Sequence, residues 1–89
     1  MDFTWDESKA HSNLKKHGVS FKEATEVFGD EFSSCVPDPD HSVGEDRYLL
    51  FGTSSKGRHL VVSFTERIEV IRIISVRHMT RKERGAYES

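Results

Sequence analysis

The sequence has a single cysteine, Cys35, so no disulfide can close within the chain. Cys35 has no C-x-x-C partner and no basic or histidine context, which argues against a thiol nucleophile. Long hydrophobic runs are missing too. The longest, near 60–64 and 70–76, fall far short of the ~20 residues that span a bilayer. The start, Met1-Asp2-Phe3-Thr4-Trp5-Asp6, lacks the basic and apolar regions of a signal peptide, so the expected location is the cytoplasm. There is no glycine-rich phosphate loop: Gly52-Thr53-Ser54-Ser55-Lys56-Gly57 has the spacing of a hairpin turn. The five histidines form no HxH, HxxxH or Cys-His pair, so neither a metal nor another cofactor is expected.

What remains is a chain of 89 residues, enough for one domain, 1–89, and too few for two. Charged residues make up 31% and hydrophobic ones 35%, which allows only a small core. The net charge of −2 conceals a strong asymmetry. Residues 30–46 carry six acids and no lysine or arginine, whereas residues 71–84 carry Arg72, Arg77, Arg81, Lys82 and Arg84 against Glu83 alone. A basic end of this kind attracts polyanions.

Local patterns give the element order β-α-α-β-β-β-β-α. Phe3-Thr4-Trp5 reads as a short edge strand. Asp6 is a candidate N-cap for a helix over 7–16, stopped by Gly18. On that helix Lys9, Asn13 and Lys16 or His17 form a polar stripe beside Ala10 and Leu14. Ser20 and Glu23 form a capping box, followed by Phe21, Ala24, Val27 and Phe28 at helical spacing. Strands follow over 32–36, 47–53, 59–66 and 69–77, with a Pro- and Asp-rich loop over 37–44. Thr80 and Glu83 form a second capping box, opening a helix to about Tyr87. The fold class is α+β, with an antiparallel meander covered by the helix pair.

The last strand holds the main functional clue. Guanidinium groups are costly in a core strand unless they find a partner or a ligand. Strict alternation puts Arg72 with Val70, Ile74 and Val76, and Arg77 on the other face with Ile71, Ile73 and Ser75. Either a bulge re-aims one arginine, or only one serves a site directly and the other is structural; the plainer reading is that each pairs with a carboxylate such as Glu66 or Glu83 at the sheet margin. Lys, His, Arg, Glu and Tyr on a small sheet suit metal-free RNA cleavage. That reaction needs deprotonation of the 2′-hydroxyl, stabilisation of the phosphorane and protonation of the leaving 5′-oxygen. The same residues also suit a non-catalytic module that binds nucleic acid or a partner through its basic strand and helix.

The chain resembles the BrnT family of type II toxin–antitoxin toxins. The resemblance lies in Phe3-Thr4-Trp5-Asp6 with Lys9 and Asn13, in Lys16-His17-Gly18-Val19-Ser20-Phe21 with Ala24 and Phe28, in Glu45-Asp46-Arg47 with Gly52, and in Arg72-Ile73-Ile74-Ser75-Val76-Arg77 followed by Glu83-Arg84 and Tyr87. Val76 stands where the family more often has alanine. The resemblance implies a RelE-like fold and a cytoplasmic ribonuclease that inhibits translation and growth. It also implies a BrnA-like antitoxin that binds operator DNA, in a heterotetramer of two toxins and two antitoxins. It makes Arg72 and Arg77 the expected phosphate or transition-state contacts, with Arg47 a third. Lys16 and His17 become candidates for phosphate binding or proton transfer, and Tyr87 for stacking or proton donation. Arg81, Lys82 and Arg84 are expected to contact RNA. Glu66 is a possible general base. Arg77 is expected nearer the chemistry, and Arg72 in the more structural role.

Overall fold

The computed structural model describes residues 1–88. Among these residues it has the elements β1 (Asp2–Thr4), α1 (Glu7–His17), α2 (Phe21–Val27), β2 (Ser34–Pro37), β3 (Arg47–Thr53), β4 (His59–Arg67), β5 (Val70–His78) and α3 (Arg81–Glu88), with a 3-10 turn at Pro39–His41. The order matches the sequence reading, and most boundaries agree to within one or two residues.

The caps operate as their chemistry requires. Asp6 accepts from the Lys9 N–H at 3.1 Å, and Ser20 from the Glu23 N–H at 3.0 Å. Gly18 ends α1 in the left-handed region, φ 69°. At α3 the capping box closes both ways: Thr80 Oγ1 accepts from the Glu83 N–H, and Glu83 Oε1 accepts from the Thr80 N–H.

The sheet runs β1-β5-β4-β3-β2. The expected all-antiparallel sheet is in fact mixed, because β1 lies parallel to β5, with Phe3 opposite Ile71. The two helices between β1 and β2 carry the chain across a whole sheet face, from one edge to the other. That crossing removes any hairpin constraint on the direction of β1.

One face of the sheet is the core. Val19, Phe21, Ala24 and Val27 pack on Leu50, Leu60, Val62, Phe64, Ile71, Ile73 and Val76. Phe28 extends this layer, edge-on to both Phe3 and Phe64. Gly52 lets α2 approach β3: a Cβ there would lie 2.7 Å from Val27 Cγ1. Glu23, 4% exposed, is the charged residue in this interior. Arg58 binds it through two nitrogens and Ser54 donates to it at 2.8 Å. Those contacts tie α2 to the β3–β4 hairpin. The arginine hydrogen bond, set against the cost of burial, brings its carboxyl down to about 2.

Candidate functional site

The opposite face of the sheet carries the arginines. Phe64 lies opposite Ile73 and Ser63 opposite Ser75, which leaves Ile74 as an extra residue in β5. This is a β-bulge. It shifts the phase of the strand, so the core residues are Ile71, Ile73 and Val76, spaced two and then three apart. Arg72 now pairs with Thr65 and Arg77 with Val61, both on the face of β4 turned away from the helices. Of the two alternatives left by alternation, the fold takes the bulge.

Arg47 belongs to the same face. Arg47, Thr65 and Arg72 form one row across three strands, which puts the two arginines about 10 Å apart at the backbone. Arg67, two residues beyond Thr65, shares that face and was missed in the sequence because it occupies an apparent turn. Glu66 projects the other way, opposite Ile71. Backbone geometry thus separates it from the arginines it was expected to serve.

The arginines differ in their partners. Arg77 makes a two-pronged pair with Glu83, at 2.7 and 3.0 Å, and also donates to the His78 carbonyl at 3.2 Å. The Arg77 guanidinium holds the Glu83 carboxyl down at about 2, with burial acting against it and the Thr80 N–H assisting. Arg47 makes only a long contact with Glu45, at 3.8 Å, and its buried Nε has no hydrogen-bond partner. The half-buried Arg72 side chain has no hydrogen bond or ion pair among the described residues. Of these three arginines, Arg72 alone has no hydrogen bond or ion pair among the described residues, while Arg77 is held in a fixed orientation.

The polar stripe of α1 completes the arrangement. A cleft of about 320 Å³ opens where α1 meets β5, lined by Lys9, Ser12, Asn13, Lys16, His17 and Ser75. Asn13 fixes this junction. Its Nδ2 donates to the carbonyls of Val19 and Val76, and its Oδ1 accepts from the Val76 N–H. Lys16 and His17 are in the last turn of α1, where the helix dipole favours cations. Ser75 and Lys9 were not among the expected site residues. The bulge puts Ser75 on the same face as Arg72, and only the strand pairing fixes where the bulge falls.

Tyr87 anchors α3 over the other half of this face. Its hydroxyl donates to Asp30 at 2.7 Å, and its ring packs edge-on against His59. Burial and Asp30 together raise the phenol, so it stays protonated, and its hydrogen bond lowers Asp30. Arg81, Lys82 and Arg84 point outward from α3, with Arg84 paired to Glu88 at 2.7 Å. The structure thus puts Arg47, Arg72 and Arg77 on one sheet face, Lys16 and His17 in a cleft at the α1–β5 junction that meets that face at Ser75, and the three α3 cations on exposed positions of their helix.

The model of a family described as "Ribonuclease toxin, BrnT, of type II toxin-antitoxin system" matches residues 5–83. The chain belongs to the BrnT family. The match runs from Trp5 to Glu83, and so includes the α1 cleft, the bulge and the Arg77–Glu83 pair; Tyr87 lies beyond it. A 1.1 Å crystal structure of the Brucella abortus ribonuclease toxin BrnT is similar in fold, with TM-score 0.71, 23% identity and coverage of 91% of this chain and 99% of that one. No curated protein sequence matches. This BrnT-family chain keeps the fold of that toxin with a sheet that is mixed rather than purely antiparallel.

Proposed function

We propose that this BrnT-family toxin cuts RNA without a metal, using the sheet face that carries Arg72, Arg77 and Ser75 together with the cleft under α1. The observation that carries this reading is the bulge at Ile74, which turns Arg72 and Arg77 to the same side. Guanidinium groups spaced along one face can hold successive phosphates of an RNA backbone, and the one beside the scissile bond can hold the extra negative charge of its phosphorane. Arg77 arrives already oriented by Glu83 and loses little freedom on binding. Arg72, unpaired among the described residues, supplies the charge for which the substrate is the missing partner. Arg47 extends the cationic row along the RNA backbone.

His17 is the proton-transfer group of this scheme, with Lys16 and Lys9 holding phosphate in the same cleft. Tyr87 contributes its ring rather than its proton, because Asp30 occupies its hydroxyl. Arg81, Lys82 and Arg84 follow the RNA backbone outside the site. The metal-free reading rests on this set alone, which supplies both charge and proton transfer.

The whole chain acts as one RelE-like domain in the cytoplasm. A BrnA-like antitoxin neutralises it in an assembly of two toxins and two antitoxins, and operator DNA is contacted through the antitoxin alone. The engagement of Arg77 by Glu83 favours a second reading, a module that binds RNA without cutting it. Purified protein incubated with total RNA and EDTA separates the two. Fragmentation supports the ribonuclease; a mobility shift with intact RNA supports the module.

A further inference from the structure

At the β2 edge of the arginine face, α3 and the sheet enclose a second cleft, of about 280 Å³. It is lined by Ser34 and Val36 of β2, Phe51 of β3, and Glu83, Ala86 and Tyr87 of α3. The scheme above uses Glu83 and Tyr87 from its walls but gives the cleft itself no ligand. Sites for drug-sized ligands run to ~300–1,000 Å³, so this one suits a single planar ring system. Two aromatic residues from different elements bound it, and β2, the strand beside it, is the exposed outer edge of the sheet, with Val36 39% exposed.

The cleft also touches the arginine site. Glu83, one of its walls, is the carboxylate that grips Arg77. Phe51 and Arg77 both lie opposite Val61, in one row across the sheet, about 10 Å apart at the backbone. A chain whose phosphate rests on Arg77 can turn its attached ring into the cleft.

Resting on the ribonuclease reading, we propose that this cleft is a nucleobase subsite that sets which sequence is cut. Phe51 and Tyr87 supply apolar and aromatic surface for the ring. Ser34 and Glu83 face its edge. A carboxylate only accepts hydrogen bonds; Arg77 and Thr80 together fill Glu83 Oε1, while Oε2 accepts from Arg77 alone and keeps one acceptor site. It therefore favours a base edge whose N–H donors converge on that one oxygen with no carbonyl between them, as the N1–H and N2–H of guanine do. Uracil presents one donor flanked by two carbonyls and is disfavoured.

Short 2′-O-methyl RNA oligonucleotides resist cleavage and isolate binding from chemistry. The full chain is titrated with a uridine tract and with the same tract carrying one guanosine, adenosine or cytidine. The wild type is expected to bind the guanosine form about tenfold more tightly than uridine alone. Val36→Trp fills the cleft and reduces that ratio below about twofold, leaving affinity for the uridine tract unchanged. Ser34→Tyr closes the cleft from its other end with the same result and covers the case of a Val36→Trp protein that fails to fold. Equal affinity of the wild type for all four oligonucleotides overturns the proposal, as does a preference that survives both folded variants. A variant that keeps the preference but escapes neutralisation by co-expressed antitoxin also overturns it, and assigns the cleft to that partner. A wild type that selects guanosine but cuts no RNA retires the ribonuclease reading and leaves the subsite standing.

Discussion

The side chain of Asn13 bonds both the N–H and the C=O of Val76, a residue separated from it by most of the chain. Val76 is two residues past the bulge, on a stretch of β5 that β1 no longer covers, because β1 pairs only as far as Arg72. An amide carries a donor and an acceptor at one end, so it can stand in for a neighbouring strand. Asn13→Ala leaves buried backbone groups unsatisfied and is expected to cost about 2–4 kcal/mol. Urea denaturation measures this, and a loss under about 1 kcal/mol contradicts the strand-mimic role.

Arg77 and Glu83 are expected to be coupled in stability. A double-mutant cycle with Arg77→Ala, Glu83→Ala and the double variant should return a coupling of about 1 kcal/mol. That exceeds a typical exposed pair because the contact is two-pronged, but partial exposure of both side chains limits it. Additive losses would show that the pair holds no orientation. Glu83→Ala also frees the guanidinium, and RNA cleavage is expected to fall because Arg77 loses its fixed direction.

Acid should loosen the fold through two carboxylates. Glu23 and Glu83 titrate at about 2 in the native protein against the ordinary 4.5. Groups with a depressed native pKa contribute stability that is fully present above the unfolded value and is lost as pH falls through the folded one. Thermal midpoints are therefore expected to hold down to about pH 5 and then drop steadily toward about pH 2. Glu83→Gln should flatten part of that slope. An unchanged acid limb in this variant would contradict the assigned cause.

Gly52 tests the packing of α2 on the sheet. Gly52→Ala drives a methyl to within 2.7 Å of Val27, which has no exposed surface to retreat to. The expected cost is about 1–3 kcal/mol, read as a lower thermal midpoint. A neutral substitution would mean that α2 is free to lift.

The local devices of this fold were visible in the sequence because they depend on neighbours in the chain. Asp6, Ser20 and Gly18 act where capping chemistry puts them, and β3 begins and ends where its residues alternate. The parallel placement of β1 was not visible, since a three-residue strand carries no sign of its direction. The bulge was visible only as a choice: Arg72 and Arg77 had the wrong parity for one face, and only the pairing of Ser63 with Ser75 and Phe64 with Ile73 decides it. The polar stripe Lys9–Asn13–His17 could be read, but its division of labour could not. Asn13 turned inward to bond β5, while Lys9 and His17 line the cleft.

The face shared by Arg72 and Arg77 is the centre of the account, and Arg72→Ala tests it most directly. This side chain has no partner among the described residues, so its removal should leave stability within about 0.5 kcal/mol of the wild type. Cleavage of a defined RNA in EDTA, by protein verified as folded, is expected to fall at least ~100-fold. Folded Arg72→Ala protein that cuts the same RNA at the wild-type rate would contradict the account.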